Sequence, residues 1–281
     1  MSGTITVGQA IRQLGGDLAG AGIGAPLREA RLIAADVLGL TMAQVTLAEQ
    51  DPISADMQRA LFEIAAPRLE RRPLSHILGR RAFFKHEFHV TPDVLDPRPE
   101  TETLVVAALA QSFERVLDLG TGSGAILLSL LTERSDAKGV GTDLSPAALR
   151  VAQGNAARLG VGPRATFLMS DWFSEVRGRF NLIVSNPPYI AVDEMAGLAP
   201  ELGFEPRMAL TDEADGLSAY RVICAGAVAH LVPGGALMVE IGPTQSAAVS
   251  GLMRAAGLVD VCVLPDLDGR DRVVCGYSAA V

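Results

Sequence analysis

Cysteine is scarce in this chain of 281 residues, aromatic side chains make up only 5%, and positive charge is in deficit. The three cysteines, Cys224, Cys262 and Cys275, are odd in number and widely spaced, which suggests neither a disulfide framework nor a zinc site. Two of them lie in apolar, strand-like runs, where a buried thiol is expected, and a reducing cytoplasm fits. No apolar run approaches the roughly 18 residues of a membrane-crossing helix, so no membrane span is predicted. Met1 to Gly15 lacks a basic stretch followed by an apolar block, so no signal peptide is expected. The formal net charge of −8 argues against broad binding to a phosphate backbone, which depends on clustered Lys and Arg, and no direct nucleic-acid contact is expected.

What is present is ordinary globular material: 49% hydrophobic and 20% charged residues, enough for one large domain or two of common size. The charge is unevenly spread. Residues 91–281 carry 14 basic and 23 acidic residues, whereas Arg68, Arg71, Arg72, Arg80, Arg81 and Lys85 crowd into one short segment. Such a cluster is either a solvated face or a contact for a partner.

Residues 1–78 read as a small helical bundle. Thr6 with Gln9 forms a capping-box pattern before Val7, Ile11, Leu14 and Leu18; Pro26 opens a second helix that Gly39 closes. A short helix near Met42–Leu47 follows, then one through Met57, Leu61, Ile64, Ala65 and Leu69 in which Pro67 is expected to force a kink or break. The aromatic, alternating stretch Phe83–Val90 predicts a strand or hairpin within a linker over 79–99. From 100 to 281 strand and helix patterns alternate, with strands near 116–119, 140–143, 165–169, 182–185, 236–241, 259–264 and 272–277. This predicts an α/β fold with a doubly wound, mostly parallel seven-stranded sheet, whose ligands bind beyond the carboxyl ends of the strands.

The chemistry-bearing motifs fall at those ends. Gly120, Thr121, Gly122 and Gly124 follow the run Val116–Leu119, as in a turn that lets a nucleotide-like cofactor approach the backbone. Asp118 is placed to accept from the ammonium of an amino-acid moiety, and Asp143, closing the next strand, to accept from both hydroxyls of a ribose. A dinucleotide fold also has an acidic residue about 20 positions on, but its glycine spacing differs. Asp171 suits an adenine amino group, with Trp172 or Phe173 stacking on the ring or serving as core. Asn186-Pro187-Pro188-Tyr189 ends the apolar run Leu182–Ser185. Its stiffened turn, the Asn186 side-chain oxygen and the Pro187 carbonyl suit both N–H groups of a flat nitrogen, with Tyr189 over the plane.

Together the two motifs resemble the S-adenosylmethionine-dependent methyltransferases that modify planar nitrogens. Asp96-Pro97-Arg98-Pro99-Glu100-Thr101-Glu102, Glu205-Pro206-Arg207-Met208-Ala209-Leu210 and Asp268–Val274 extend this across nearly the whole chain to a resemblance to the release factor glutamine methyltransferases. That resemblance implies methylation of the glutamine in the Gly-Gly-Gln loop of class-1 release factors by a cytoplasmic enzyme, expected here as a monomer away from the membrane. It implies that Asp118, the glycine turn, Asp143 and Asp171 bind cofactor, that Asn186, Pro187, Pro188 and Tyr189 hold the glutamine, and that Arg98 and Glu100 lie near the pocket. The chain departs from the family pattern at Asp96, usually apolar, and at His76, commonly Tyr; the former is expected to alter local packing. Enzymes acting on a ribosomal-protein glutamine share Asn-Pro-Pro-Tyr, a DNA adenine methyltransferase shares the chemistry, and a non-catalytic cofactor-binding adaptor has no need of Asn186 and Tyr189.

Overall fold

The computed structural model describes residues 5–280; the extreme ends of the two expected domains, 1–4 and 281, lie outside the described residues. The chain divides into two compact units, one holding the described residues up to Gly79 together with Ala199–Phe204, the other Arg80–Leu198 and Glu205 onward. Among the described residues no helix is long and apolar enough to cross a membrane.

The first unit contains α1 (Val7–Gly20), α2 (Pro26–Leu38), α3 (Met42–Leu47), α4 (Ala55–Leu69) and α5 (Leu74–Leu78). α1 begins where the capping pattern places it: the Thr6 hydroxyl accepts from the Gln9 N–H at 3.3 Å and the Gln9 side chain from the Thr6 N–H at 2.8 Å. Gly39 ends α2 with φ 64°, a left-handed conformation that a Cβ would strain. Val7, Ile11, Leu14 and Leu18 pack with Ile33, Val45, Leu61 and Ala65 in one apolar core. Pro67 does not break α4, which runs on to Leu69; it stands in the last turn, where the missing N–H removes one bond without interrupting the helix. Met57 and Leu69, expected on the buried stripe, are 44% and 37% exposed.

This unit is also held by charge. Arg68 is buried, donating to Glu29 at 2.6 Å and to Glu201 at 3.0 Å, and Arg71 reaches Glu201 at 2.9 Å. Glu201 comes from the 3-10 turn Pro200–Phe204, a strip the sequence reading did not associate with the helices. In the second unit Lys85 pairs with Glu133 at 2.6 Å, Arg80 lies 3.7 Å from Glu87, and Arg81 donates to the Pro97 carbonyl at 3.0 Å. The basic segment is therefore not a free positive face, because most of its charge is met within the chain.

The second unit opens with the hairpin β1 (Arg80–Phe83) and β2 (His86–His89), whose Phe83 and Phe88 rings meet edge to face inside the core. A 3-10 turn, Pro99–Thr101, leads into α6 (Glu102–Leu109). There follow β3 (Arg115–Leu119), α7 (Ala125–Glu133), β4 (Lys138–Asp143), α8 (Pro146–Arg158), β5 (Ala165–Met169) and β6 (Phe180–Ser185). The chain ends with α9 (Ser218–His230), β7 (Leu231–Glu240), α10 (Ser246–Ala255), β8 (Val259–Pro265) and β9 (Asp271–Tyr277). The seven strands lie in the order β5-β4-β3-β6-β7-β9-β8, parallel except for β9, which runs antiparallel to both neighbours. Successive residues of a strand point to opposite faces. Accordingly Val116, Leu182 and Val184 join one core with α6 and α7, while Leu117, Leu119 and Ile183 join another with α9 and α10. Cys262 and Cys275 stand opposite each other on β8 and β9 with their sulfurs 2.9 Å apart, and Cys262 is exposed, against the expectation of a buried thiol.

Replacing Arg68 with Met should leave Glu29 and Glu201 without their shared cation. The expected loss is about 3 kcal/mol, at the low end for a broken buried pair because the carboxylates keep some contact with water. Urea unfolding with hydrogen exchange read in α2 and α4 measures it; a loss within the scatter of ordinary surface substitutions would contradict the role of the pair.

Candidate active site

The strand order reverses between β3 and its neighbours β4 and β6, the place where a doubly wound sheet opens a crevice. A cavity of about 500 Å³ lies there, lined by Gly120–Ser123 after β3, Asp143–Ser145 after β4, Ser170–Trp172 after β5, and Asn186 and Pro188 after β6. Asp93–Leu95, Pro97, Arg98 and Thr101 form another part of its wall, with Pro206–Ala209 and Thr211–Glu213.

The glycine turn is fixed from below and behind. The Thr121 N–H donates to the Thr142 carbonyl at 2.8 Å. Asn155, inside α8, donates to the carbonyls of Ser123 and His89, both at 2.9 Å, and accepts from the His89 N–H at 2.8 Å. A polar, poorly helix-forming Asn amid an apolar stripe was the available signal for this clamp. Gly124 does not line the cavity. It caps α7 with φ 81°, a left-handed conformation that favours glycine, and a Cβ there would also press on a Leu128 methyl at 2.9 Å.

Asp118 lies beneath the turn, wholly buried. One carboxylate oxygen accepts from the Thr121 hydroxyl at 2.6 Å, and the other has no hydrogen-bond partner among the described residues. Burial, with Asp143 nearby adding to it, pushes its carboxyl up to about 7. Asp143 accepts from the Gly122 and Ser145 N–H groups, both at 2.9 Å, and burial raises its pKa also. Asp171 is exposed on the cavity wall. Of the two rings beside it, Trp172 lines the cavity, whereas Phe173 stacks on His230 with ring centres 4.7 Å apart.

Asn186 is half-buried at the end of β6, facing the cavity and donating through Nδ2 to the Thr101 hydroxyl at 3.3 Å. Pro187 is buried, and neither it nor Tyr189 lines the cavity. Tyr189 packs instead against the core shared with α9 and α10, and burial, reinforced by Glu240, pushes its phenol up to about 12. Its carbonyl accepts from the Gln245 side chain at 2.9 Å, and a Cβ on Gly216 would come within 2.3 Å of that same oxygen. The loop that carries Asn186 is thus held through its backbone.

Glu100 does not line the cavity, but Arg98 does, as part of a charged cluster in which it pairs with buried Glu205. The Asp96 N–H donates to Glu205 at 3.2 Å, and the Asp96 carboxylate lies 3.5 Å from Arg81 and 3.8 Å from Arg98. Asp96 therefore places a buried carboxylate in this wall beside two arginines. Glu205, visible in sequence only as part of a signature, joins the two segments.

A doubly wound sheet with a reversed β9, a glycine turn backed by a buried carboxylate and an Asn-Pro-Pro-Tyr strand end define a methyltransferase. The chain matches the Methyltransferase small domain family over residues 96–201 and the PrmC N-terminal domain over residues 9–79. Its fold resembles a crystal structure of a methyltransferase from Pyrococcus furiosus (TM-score 0.54, 17% identity, covering 68% of this chain and 88% of that one). It also resembles the hMettl16 catalytic domain in complex with a MAT2A 3′UTR hairpin (TM-score 0.56, 15% identity, 69% and 75%). Among sequence relatives, the release factor glutamine methyltransferase of Cereibacter sphaeroides is 55% identical over 92% of this chain and 93% of its own length. Those of Rhodospirillum rubrum and Bordetella pertussis are each 46% identical, over 92% and 90% of this chain and 81% and 96% of their own lengths. The chain belongs to the release factor glutamine methyltransferase family.

The buried carboxyl of Asp118 makes stability depend on pH. Its folded pKa lies above its unfolded value, so its favourable contribution is complete below the unfolded pKa and is lost as pH rises through about 7. Asp118→Asn should match the wild-type Tm below about pH 4, exceed it increasingly as pH rises toward 7, and hold that excess near pH 8, in the absence of ligand. Parallel Tm profiles for the two proteins would contradict the burial of an ionising group there.

Proposed function

We propose that this cavity transfers a methyl group from S-adenosylmethionine to the side-chain amide nitrogen (N5) of the glutamine in the Gly-Gly-Gln motif of class-1 peptide release factors, leaving S-adenosylhomocysteine. The observation that carries the reading is one of adjacency. Asn186 faces the cavity at the end of β6, and the glycine turn at the end of neighbouring β3 covers a buried carboxylate with one oxygen unpaired among the described residues.

The residues present fit the cofactor. Asp118 offers a buried acceptor for an ammonium, Asp143 a carboxylate at the next strand end, Gly120, Thr121 and Gly122 an open backbone, and Asp171 and Trp172 an acceptor and a ring for adenine. Bound there, the cofactor supplies an electrophilic methyl group on a sulfonium. An amide nitrogen is a poor nucleophile because its lone pair is delocalised into the carbonyl. The chain's task is therefore to pin that nitrogen: the Asn186 oxygen and the Pro187 carbonyl accept from its two N–H groups and favour positive charge developing on it. Pro188 and Arg98 line the approach. Tyr189 acts from behind, holding the loop, and Glu100 stands outside the lining. The helical unit, which lacks a cofactor motif, is assigned to gripping the body of the release factor, since a glutamine side chain alone offers little surface to select. The net negative charge and the pairing of the basic segment support a protein substrate over nucleic acid, and a cytoplasmic monomer fits a partner of the translation machinery.

Mass spectrometry after incubation with release factor, ribosomal protein and DNA tests the substrate; methyl transfer to either of the latter alone would overturn it. Asn186→Ala should keep cofactor affinity and lose about a hundredfold in turnover, the scale of one positioned transition-state partner. Asp143→Ala should weaken cofactor binding at least about tenfold by calorimetry, as expected for loss of charge-assisted bonds.

A further inference from the structure

An Asn side chain has one accepting and one donating end, and only the accepting end serves an incoming N–H. The arrangement around Asn186 selects between them. Its Nδ2 donates to Thr101 Oγ1 at 3.3 Å, and Thr101 is buried where the 3-10 turn meets α6. The Thr101 side chain in turn acts on the carboxyl of Glu240, the last residue of β7, favouring its charged form; Glu240 is 1% exposed and one of its oxygens has no hydrogen-bond partner among the described residues. β7 pairs with β6 with Ser185 opposite Val239, so Glu240 lies level with Asn186 one strand away. Thr101 has a single hydroxyl hydrogen. Given to a carboxylate, it leaves Oγ1 only lone pairs to offer Asn186, which then turns its NH2 toward Thr101 and its oxygen toward the cavity.

We propose that Thr101 and Glu240 are positioning residues for methyl transfer: Glu240 takes the Thr101 hydroxyl hydrogen, and Thr101 thereby locks the Asn186 amide with its oxygen toward the substrate nitrogen. This rests on the reading of Asn186 as the residue that holds the glutamine. The lock has an off state. A protonated Glu240 can donate to Thr101, which frees the threonine hydrogen for the Asn186 oxygen, and the amide then presents NH2 to the substrate NH2. The charged and titratable groups facing Glu240 are Glu100 of the 3-10 turn, Arg98 before it, Arg272 of β9, Tyr189 after β6 and Tyr220 of α9. Burial outweighs Thr101 and the two arginines and pushes the Glu240 carboxyl up to about 7, so the lock engages as pH rises through neutrality.

The test uses the full chain at saturating cofactor, which removes any contribution of Asp118 to cofactor affinity from the readout. Thr101→Val should lower kcat on release factor about tenfold, the size of one well-placed hydrogen bond, with cofactor affinity and KM nearly unchanged; Thr101→Ser should restore it. Wild-type kcat should rise from about pH 6 to about pH 8, and Glu240→Gln, whose amide can serve Thr101 either way, should be slower at the upper end and lack the rise. Thr101→Val with wild-type kcat, or Glu240→Gln with the wild-type pH profile, overturns the lock; if Thr101→Val does not fold, the Glu240→Gln profile decides alone. Asn186→Ala separates the two readings. Its inactivity beside a fully active Thr101→Val sinks only the lock, whereas an active Asn186→Ala sinks the glutamine-binding role itself.

Discussion

The pairing of β3 with β6 is the constraint on which the site depends. Leu119 lies opposite Ser185, and the Ser185 hydroxyl donates to the Leu119 carbonyl at 2.7 Å, buried, so the two strand ends cannot slip past each other. Adjacent strands lie about 4.8 Å apart. The glycine turn and Asn186 therefore begin one strand spacing from each other, the scale on which a methyl group passes between bound molecules. A slip of one residue would turn every alternating side chain to the wrong face and move Asn186 out of the crevice. The apolar cores on the two sides of the sheet supply the rigidity that makes this register unique.

Around that register the protein buries charge with unusual freedom. Asp118 and Glu240 are both pushed to about 7 by burial, and each has an oxygen with no partner among the described residues. Such groups cost stability unless something satisfies them. They stand near the ends of β3 and β7, the strands on either side of the one that carries Asn186. Arg98, Glu205, Asp96 and Arg81 form a third charged group that joins the Pro97–Thr101 stretch to the Glu205–Ala209 stretch of the wall. Arg68 does the same in the helical unit, tying the strip Ala199–Phe204 to α2 and α4.

Much of the architecture was legible because it is local. Caps such as Thr6 with Gln9 act over three residues, and strands buried on both faces write themselves as continuous apolar runs. The glycine turn and Asn186, which do line the cavity, could be singled out because a strand end with those residue types stands apart from ordinary turn sequence. What escaped the sequence is what joins distant segments. Arg68 and Glu201 are 133 residues apart, Asn186 and Thr101 85, and no periodicity links them. Cys262 and Cys275 became neighbours only through the register of β8 and β9. α5 is too short for a periodic signal, and Tyr189 was given the cavity because an aromatic beside a reacting group suits stacking, whereas the fold uses its backbone to hold the loop.

On the proposed reading β3 and β6 bring cofactor and glutamine together, with the Asn186 oxygen toward the reacting nitrogen. A crystal structure with S-adenosylhomocysteine and a peptide carrying the Gly-Gly-Gln motif tests it directly. The expected result is the homocysteine moiety over Asp118 and the glutamine nitrogen donating to Asn186 and the Pro187 carbonyl while aimed at the sulfur. A glutamine seated away from Asn186, or one that receives a hydrogen bond from Asn186 Nδ2 at its nitrogen, would contradict it.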